Sequence, residues 1–216
     1  MTIELIQQSL YRPSLSAITD IYNRSMYDKD VDLFRIKDIL DSLSAGQIES
    51  KQWAVDKLFP FITEEHDRCF VIGGWYGLFS HILTLKGFKK EIVNYDLDEV
   101  CFQYGSRLNK RFNNIVFRTG DGLSVFEKNM EYHKKIIVCT ACEHIDRDEL
   151  IFSLRMKNKD TLICLQSNNF FEVNSHINCS DTLQDFVDYL PLNEILYQES
   201  LRYEPDNYDR FMVIAK

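Results

Sequence analysis

Cys69-Phe70-Val71-Ile72-Gly73-Gly74-Trp75-Tyr76-Gly77-Leu78-Phe79-Ser80-His81-Ile82-Leu83 is the stretch on which the fold turns. Its first four residues, all apolar, read as a short strand buried on both faces. The glycines that follow read as a tight turn, and the apolar run after them as the start of a helix. Glycines at a strand-to-helix turn permit unusual φ values and let a ligand approach the backbone closely.

The same pattern recurs downstream. Ile92-Val93-Asn94-Tyr95, Ile115-Val116-Phe117, Ile136-Ile137-Val138-Cys139 and Leu162-Ile163-Cys164-Leu165 are short apolar runs separated by amphipathic stretches. Strands buried on both faces and alternating with helices predict a parallel sheet covered on each side. The chain then changes character. Glu194 to Tyr203 and Tyr208 to Ala215 are strand-like runs joined by Glu204-Pro205-Asp206-Asn207, a connection short enough for a hairpin, so the last two strands are predicted antiparallel. Upstream, Val31, Phe34, Ile36 and Ile39-Leu40 recur at helical spacing, as do Ile48, Trp53, Val55 and Leu58-Phe59 until Pro60. These predict a helical extension over residues 1–62, with a break near Ser44-Ala45-Gly46, ahead of an α/β unit over 63–216.

Composition narrows the class. With 216 residues, 45% hydrophobic and 27% charged, the chain suits one globular domain with a modest extension. Its formal net charge of -8 opposes binding to a phosphate backbone, and Arg107, Lys110 and Arg111 form the sole basic run, so a nucleic-acid partner is not expected. No apolar stretch approaches membrane-spanning length, and Met1-Thr2-Ile3-Glu4 lacks the features of a signal peptide. Cys69, Cys139 and Cys164 sit inside apolar runs, where free cysteine behaves as a small hydrophobe. A cytoplasmic protein with reduced thiols is the expectation.

In open α/β sheets the ligand lies beyond the carboxyl ends of the strands. Asp96 ends the second strand, 23 residues after Gly73, near the spacing of an acid that accepts hydrogen bonds from ribose hydroxyls. Asp98 is better placed to cap the next helix. After the third strand, Asp121 stands between Gly120 and Gly122, where a carboxylate can accept from an exocyclic adenine amine.

Together these residues resemble the class I S-adenosylmethionine-dependent methyltransferases. Val71-Ile72-Gly73-Gly74-Trp75-Tyr76-Gly77 looks like their glycine-rich first motif, Asp96 like their ribose-binding acid and Asp121 like their adenine-side acid. The resemblance covers Cys69 to Lys216 and implies a Rossmann-like, doubly wound α/β fold: a mostly parallel seven-stranded sheet with an antiparallel last strand, plus the N-terminal helices. It implies S-adenosylmethionine as cofactor, held by Gly73, Gly74, Trp75, Tyr76, Gly77, Asp96, Leu97, Asp121, Gly122 and Cys142. Two positions depart from the family. Val71 stands where an acid usually helps hold the methionine end, and Trp75 where glycine is frequent. A tryptophan there can cover the cofactor or stack against a cation.

On the reaction side, Thr140-Ala141-Cys142-Glu143-His144-Ile145 follows the fourth strand. In the resembling family this strand end faces the transferable methyl. Glu143 and His144 are the candidate catalytic residues, as general bases toward a hydroxyl, thiol or amine, or else caps of the next helix. The Asn/Asp-Pro-Pro-aromatic motif of exocyclic-nitrogen methylation is absent, which points to a small-molecule or protein acceptor. Gln166, Asn168, Asn169 and His176 are the candidate acceptor-binding residues. Cys142, His144, His176 and Cys179 supply two thiols and two imidazoles, but their spacing is unlike structural zinc fingers and no metal is expected. Aminocarboxypropyl transfer from the same cofactor and a non-catalytic nucleotide-binding module are the alternatives. A nicotinamide oxidoreductase is disfavoured by the terminal hairpin.

Overall fold

A computed structural model describes residues 33–128 and 134–216. Seven strands form one sheet: β1 (Arg68–Ile72), β2 (Glu91–Asp96), β3 (Ile115–Thr119), β4 (Lys135–Cys139), β5 (Leu162–Asn168), β6 (Ile195–Tyr203) and β7 (Tyr208–Ala215). Their order is β3-β2-β1-β4-β5-β7-β6. The first five pair in parallel, with Cys69 opposite both Ile92 and Ile136, while β7 runs antiparallel to β5 and β6. This is the predicted sheet. The turn between β6 and β7 ends at Asn207, whose φ of 57° is one that asparagine tolerates better than most side chains.

Side-chain alternation along the strands divides the core into two layers. Cys69, Val71, Ile92, Ile136, Val138, Leu162, Cys164, Met212 and Ile214 face α2 (Ala45–Leu58) and α3 (Leu78–Lys86). Phe70, Ile72, Val93, Ile137, Cys139, Ile163, Leu165, Phe211 and Val213 face α5 (Val125–Lys128), α6 (Arg147–Arg155) and α7 (Leu183–Asp188). Neighbouring residues go to opposite layers, which is why these strands read as unbroken apolar runs. A third, smaller cluster joins α1 (Leu33–Ser42) to α4 (Glu99–Leu108) through Ile39, Tyr76, Cys101, Tyr104 and Leu108.

The helical segment before β1 shares this core. Ile48, Ala54, Val55 and Leu58 of α2 are buried in the first layer, so α2 covers the sheet rather than extending from it. The break between α1 and α2 falls at Leu43–Ser44, just before the expected one, because Ser44 is the N-terminal flanking residue and Ala45 already helical. Pro60 lies within a 3₁₀ turn, Phe59–Phe61, that closes α2. The part of the expected extension before residue 33, Val31 included, lies outside the described residues. β5 runs three residues further than its apolar stretch, through Gln166, Ser167 and Asn168, all fully buried. All six cysteines are buried and free, and no helix among the described residues is long and apolar enough to cross a membrane.

Candidate functional site

A cavity of about 900 Å³ opens over the carboxyl ends of β1, β2, β3 and β4. Its first wall is the turn after β1. Gly73 (φ 60°), Trp75 (φ 47°) and Gly77 (φ 82°) all adopt left-handed backbone, where only glycine is free of the Cβ clash. At Gly77 a Cβ would lie 2.6 Å from the Phe117 ring, so the position needs glycine for space as well. Trp75 therefore carries strain of about 1–2 kcal/mol, at the position where the resembling family often has glycine. Two contacts hold it: its backbone N–H donates to Asp96 Oδ2 (2.9 Å) and its indole Nε1 donates to Asp38 Oδ2 (3.3 Å).

Asp38 belongs to α1, and the same oxygen accepts from the Tyr76 hydroxyl at 2.5 Å. Burial, then that carboxylate, push the Tyr76 phenol well above its ordinary range, so it stays a donor. Below the turn, Asn109 donates to the carbonyl of Tyr76 (2.9 Å) and pairs with Nδ1 of buried His81 (3.1 Å). The other nitrogen of that ring, Nε2, faces a guanidinium N–H of Arg111 at 2.9 Å. The amide oxygen accepts and the guanidinium donates, so His81 is neutral with its proton on Nδ1. Desolvation, and then the Arg111 charge, lower its pKa to about 4. Arg111 also lies over the Phe112 ring, so the basic run at the end of α4 and just after it is partly spent on packing.

Asp96 accepts from Trp75 N–H on one oxygen and from Asp98 N–H (3.1 Å) on the other, leaving acceptor capacity on both for a diol. Asp98 caps α4 through Val100 N–H, as its position suggested, and pairs with Arg35. Asp121 caps the 3₁₀ turn Gly122–Ser124 through Leu123 N–H while lining the cavity. Gly73, Gly74, Trp75, Tyr76, Asp96, Leu97, Asp121 and Gly122 all form the wall. Gly77 lies behind it against Phe117, and Cys142 is fully buried with its thiol aimed at the Cys139 carbonyl, so neither is among the lining residues.

The far corner is built around Glu143, 3% exposed in the 3₁₀ turn Cys142–His144. Asn168 Nδ2 donates to its Oε1 at 2.7 Å, and Arg210 of β7 stands 3.6 Å from the same oxygen. The Arg210 guanidinium is itself buried. Desolvation works against its charge, but Glu143 and Tyr208 more than offset this and leave its pKa raised. Among the described residues, buried Glu143 Oε2 has no hydrogen-bond partner. The carbonyl of Glu143 accepts from Ile177 N–H and Asn178 N–H, which pins the loop after β5 and sets His176 beside His144, ring centroids 4.7 Å apart. Asp146, rather than Glu143 or His144, caps α6, through Asp148 and Glu149 N–H, so both keep their side chains for the cavity.

Three expected acceptor contacts are placed elsewhere. Gln166 is fully buried and bonds to Ser50 Oγ (3.2 Å) and the Ser50 carbonyl (3.3 Å), tying β5 to α2. Asn168 is spent on Glu143, and Asn169 pairs with Asp209 at the start of β7. The reason is the extra length of β5, which carries Gln166 and Asn168 into the sheet and sets Asn169, just past its end, against β7. His176 does line the cavity. Lining residues that sequence reasoning missed include Asp38, Lys51 and Arg210. Lys51 of α2 donates to Gln47 Oε1 (2.8 Å); desolvation, then the charge of Arg210, lower its pKa to about 7, against a partial counterpull from Glu143. No local pattern marks any of the three.

No protein-family model matches the chain, and no curated protein matches it. Solved structures do. A geranyl diphosphate methyltransferase in complex with S-adenosylmethionine aligns with a TM-score of 0.58 at 11% identity, over 79% of this chain and 85% of that one. Coclaurine N-methyltransferase bound to N-methylheliamine and S-adenosylhomocysteine aligns with a TM-score of 0.56 at 9% identity, over 78% and 71%. The B. subtilis M1A22 tRNA methyltransferase TrmK gives 0.54 at 13% identity, over 77% and 64%. At such identities the likeness is one of fold, and the three named acceptors have little in common.

Proposed function

We propose that this chain, which has the fold of the class I S-adenosylmethionine-dependent methyltransferases, is a transferase of that kind, acting on a small molecule or a protein side chain. One observation carries the reading. The left-handed glycine turn, Asp96 and Asp121 come from three different strand ends and converge on one cavity. The cofactor is S-adenosylmethionine, with its ribose diol on Asp96, its adenine toward Asp121 and Leu97, and its sulfonium toward Glu143 and His144. Trp75 and Tyr95 offer aromatic surface to a cation on the same wall.

The acceptor enters at the Glu143–His144–His176 corner, where Val173 and the exposed side chain of Ile177 add apolar surface. His144 Nδ1 lies 3.0 Å from the Ser175 carbonyl, which can only accept, so Nδ1 carries the proton and Nε2 presents a lone pair. Most of the rate enhancement then comes from holding the nucleophile in line with the methyl carbon. Aminocarboxypropyl transfer is the second reading, favoured by Val71, an apolar side chain where an acid would grip the methionine ammonium.

Calorimetry with S-adenosylhomocysteine tests the cofactor assignment. Asp96→Ala removes hydrogen bonds worth roughly 1.5–3 kcal/mol each to a charged partner, so affinity falls at least tenfold. No binding by the wild type, or unchanged binding by Asp96→Ala, sinks it. Product analysis against a metabolite pool separates the two transfers: S-adenosylhomocysteine marks methyl transfer and methylthioadenosine marks the other.

A further inference from the structure

We propose that Glu143, His144 and His176 bind a first-row divalent cation, and that this cation holds the oxygen of a hydroxyl acceptor. One ligating atom of each residue lies within 4.8 Å of the other two. Each ring has its Nδ1 against a backbone carbonyl: His144 against Ser175 at 3.0 Å and His176 against Phe170 at 2.7 Å. A carbonyl has no proton to give, so each ring carries a proton on Nδ1, and its neutral form has the lone pair on Nε2. That outer hydrogen bond is the arrangement that orients histidine for a metal.

An independent observation points to the same ligand. Glu143 is 3% exposed, Asn168 and Arg210 occupy its Oε1 side, and buried Oε2 has no partner among the described residues. A buried carboxylate oxygen without a donor is costly, and the residue it belongs to is clustered with two imidazoles. Three acceptors facing one another need a cation between them. Ligands about 2.1 Å from a shared centre stand roughly 3–3.5 Å apart, so the set has to draw in by at most about 1.8 Å. Exposed His144 is free to make that movement.

Two nitrogens and one carboxylate oxygen suit Zn²⁺, Mn²⁺ or Fe²⁺ better than Mg²⁺. The thiols are not part of the set. Cys142 is fully buried with its thiol on the Cys139 carbonyl, and the Cys179 thiol lies against Asn168 Oδ1 and the Phe170 carbonyl. Three protein ligands leave positions open, which is the form of a reactive site rather than a structural one. This use of the cation rests on the methyltransferase reading. Coordination lowers the pKa of an acceptor hydroxyl, and its proton passes to water. The oxygen then forms a bond to the methyl carbon while the carbon–sulfur pair returns to sulfur. The products are a methyl ether, S-adenosylhomocysteine and one proton.

The test is calorimetry of the full chain with Zn²⁺ and with Mn²⁺, and separately with S-adenosylhomocysteine, on chelator-treated protein. One site per chain is expected. His144→Ala and His176→Ala should each weaken it at least tenfold, the double variant should abolish it, and Cys179→Ser should leave it within threefold. S-adenosylhomocysteine affinity should change by less than threefold throughout, which also reports that the variants fold. No metal binding by the wild type, binding that survives the double variant, or binding lost in Cys179→Ser overturns the proposal. Absent S-adenosylhomocysteine binding with intact metal binding overturns the cofactor reading and leaves the cation site standing.

Discussion

The two ends of the cavity are assembled by different means. At the Gly73–Asp96–Asp121 end, each group lies at the end of a strand or in the turn just after it, and backbone N–H groups of Trp75, Asp98 and Leu123 fix the carboxylates. At the Glu143 end the carboxylate is held by Asn168 from β5 and Arg210 from β7, and the loop behind it by Ile177 and Asn178. The first end is set by local chain geometry, and sheet order merely collects it. The second exists only because antiparallel β7 lies between β5 and β6, which delivers Arg210 to Glu143. Losing a side chain should therefore affect the first end chiefly through affinity, and the second through both turnover and stability.

The largest expected separation between the two ends comes from His144→Ala. Turnover should fall at least about 10²-fold, through the lost cation ligand or, if no cation binds, through the lost base, with S-adenosylhomocysteine affinity nearly intact. Equal losses in both would mean that the ends are not independent. Arg210→Ala tests the buried charge directly. It leaves Glu143 without its charged partner at a buried position, which typically costs 3–5 kcal/mol, so denaturant unfolding should show a loss of that size. A loss below about 1 kcal/mol would show the pair to be solvated and the contrast false.

A third effect belongs to the cofactor end alone. His81 has its folded pKa lowered to about 4 from 6.5. Between those values the unfolded chain binds the extra proton and the folded one does not, so unfolding free energy rises with pH across that window. The span amounts to about 3 kcal/mol at ~1.4 kcal/mol per pKa unit. Stability measured from pH 4 to 6.5 should climb accordingly, and His81→Gln should flatten the climb; an identical profile in the variant would remove this histidine from the account. The smallest effect is at Asp38. Asp38→Ala removes the acceptor shared by Trp75 and Tyr76, and cofactor affinity should fall roughly three- to tenfold, the net worth of an ordinary hydrogen bond. No change would mean that the turn holds itself.

The same contrast explains what the sequence revealed. The glycine turn and Asp96 were legible because strand, turn and acid lie within one short stretch of chain, and period-two burial wrote the strands as apolar runs. Trp75 was legible as a departure, but its left-handed backbone was not, because a tryptophan carries no sign of φ. Lys51 and Arg210 gave no signal at all: one sits in an ordinary helix and the other begins an apolar strand. Gln166 and Asn168 misled because polar residues after an apolar run usually mean a loop. Here hydrogen bonds to Ser50 and Glu143 satisfy them inside the sheet. Sequence patterns report on neighbours along the chain, and this corner is made by neighbours across it.

Asp38 also changes how ligand binding and local order are linked. It joins α1 to the turn that would receive the nucleoside, so any ligand that fixes Trp75 and Tyr76 also favours the docked position of that helix. Amide hydrogens of α1 should then exchange more slowly in the liganded protein, although the helix contributes few lining residues of its own. By reciprocity, a chain shortened from its amino end past Asp38 would register as a weaker binder even with every glycine and strand-end acid intact.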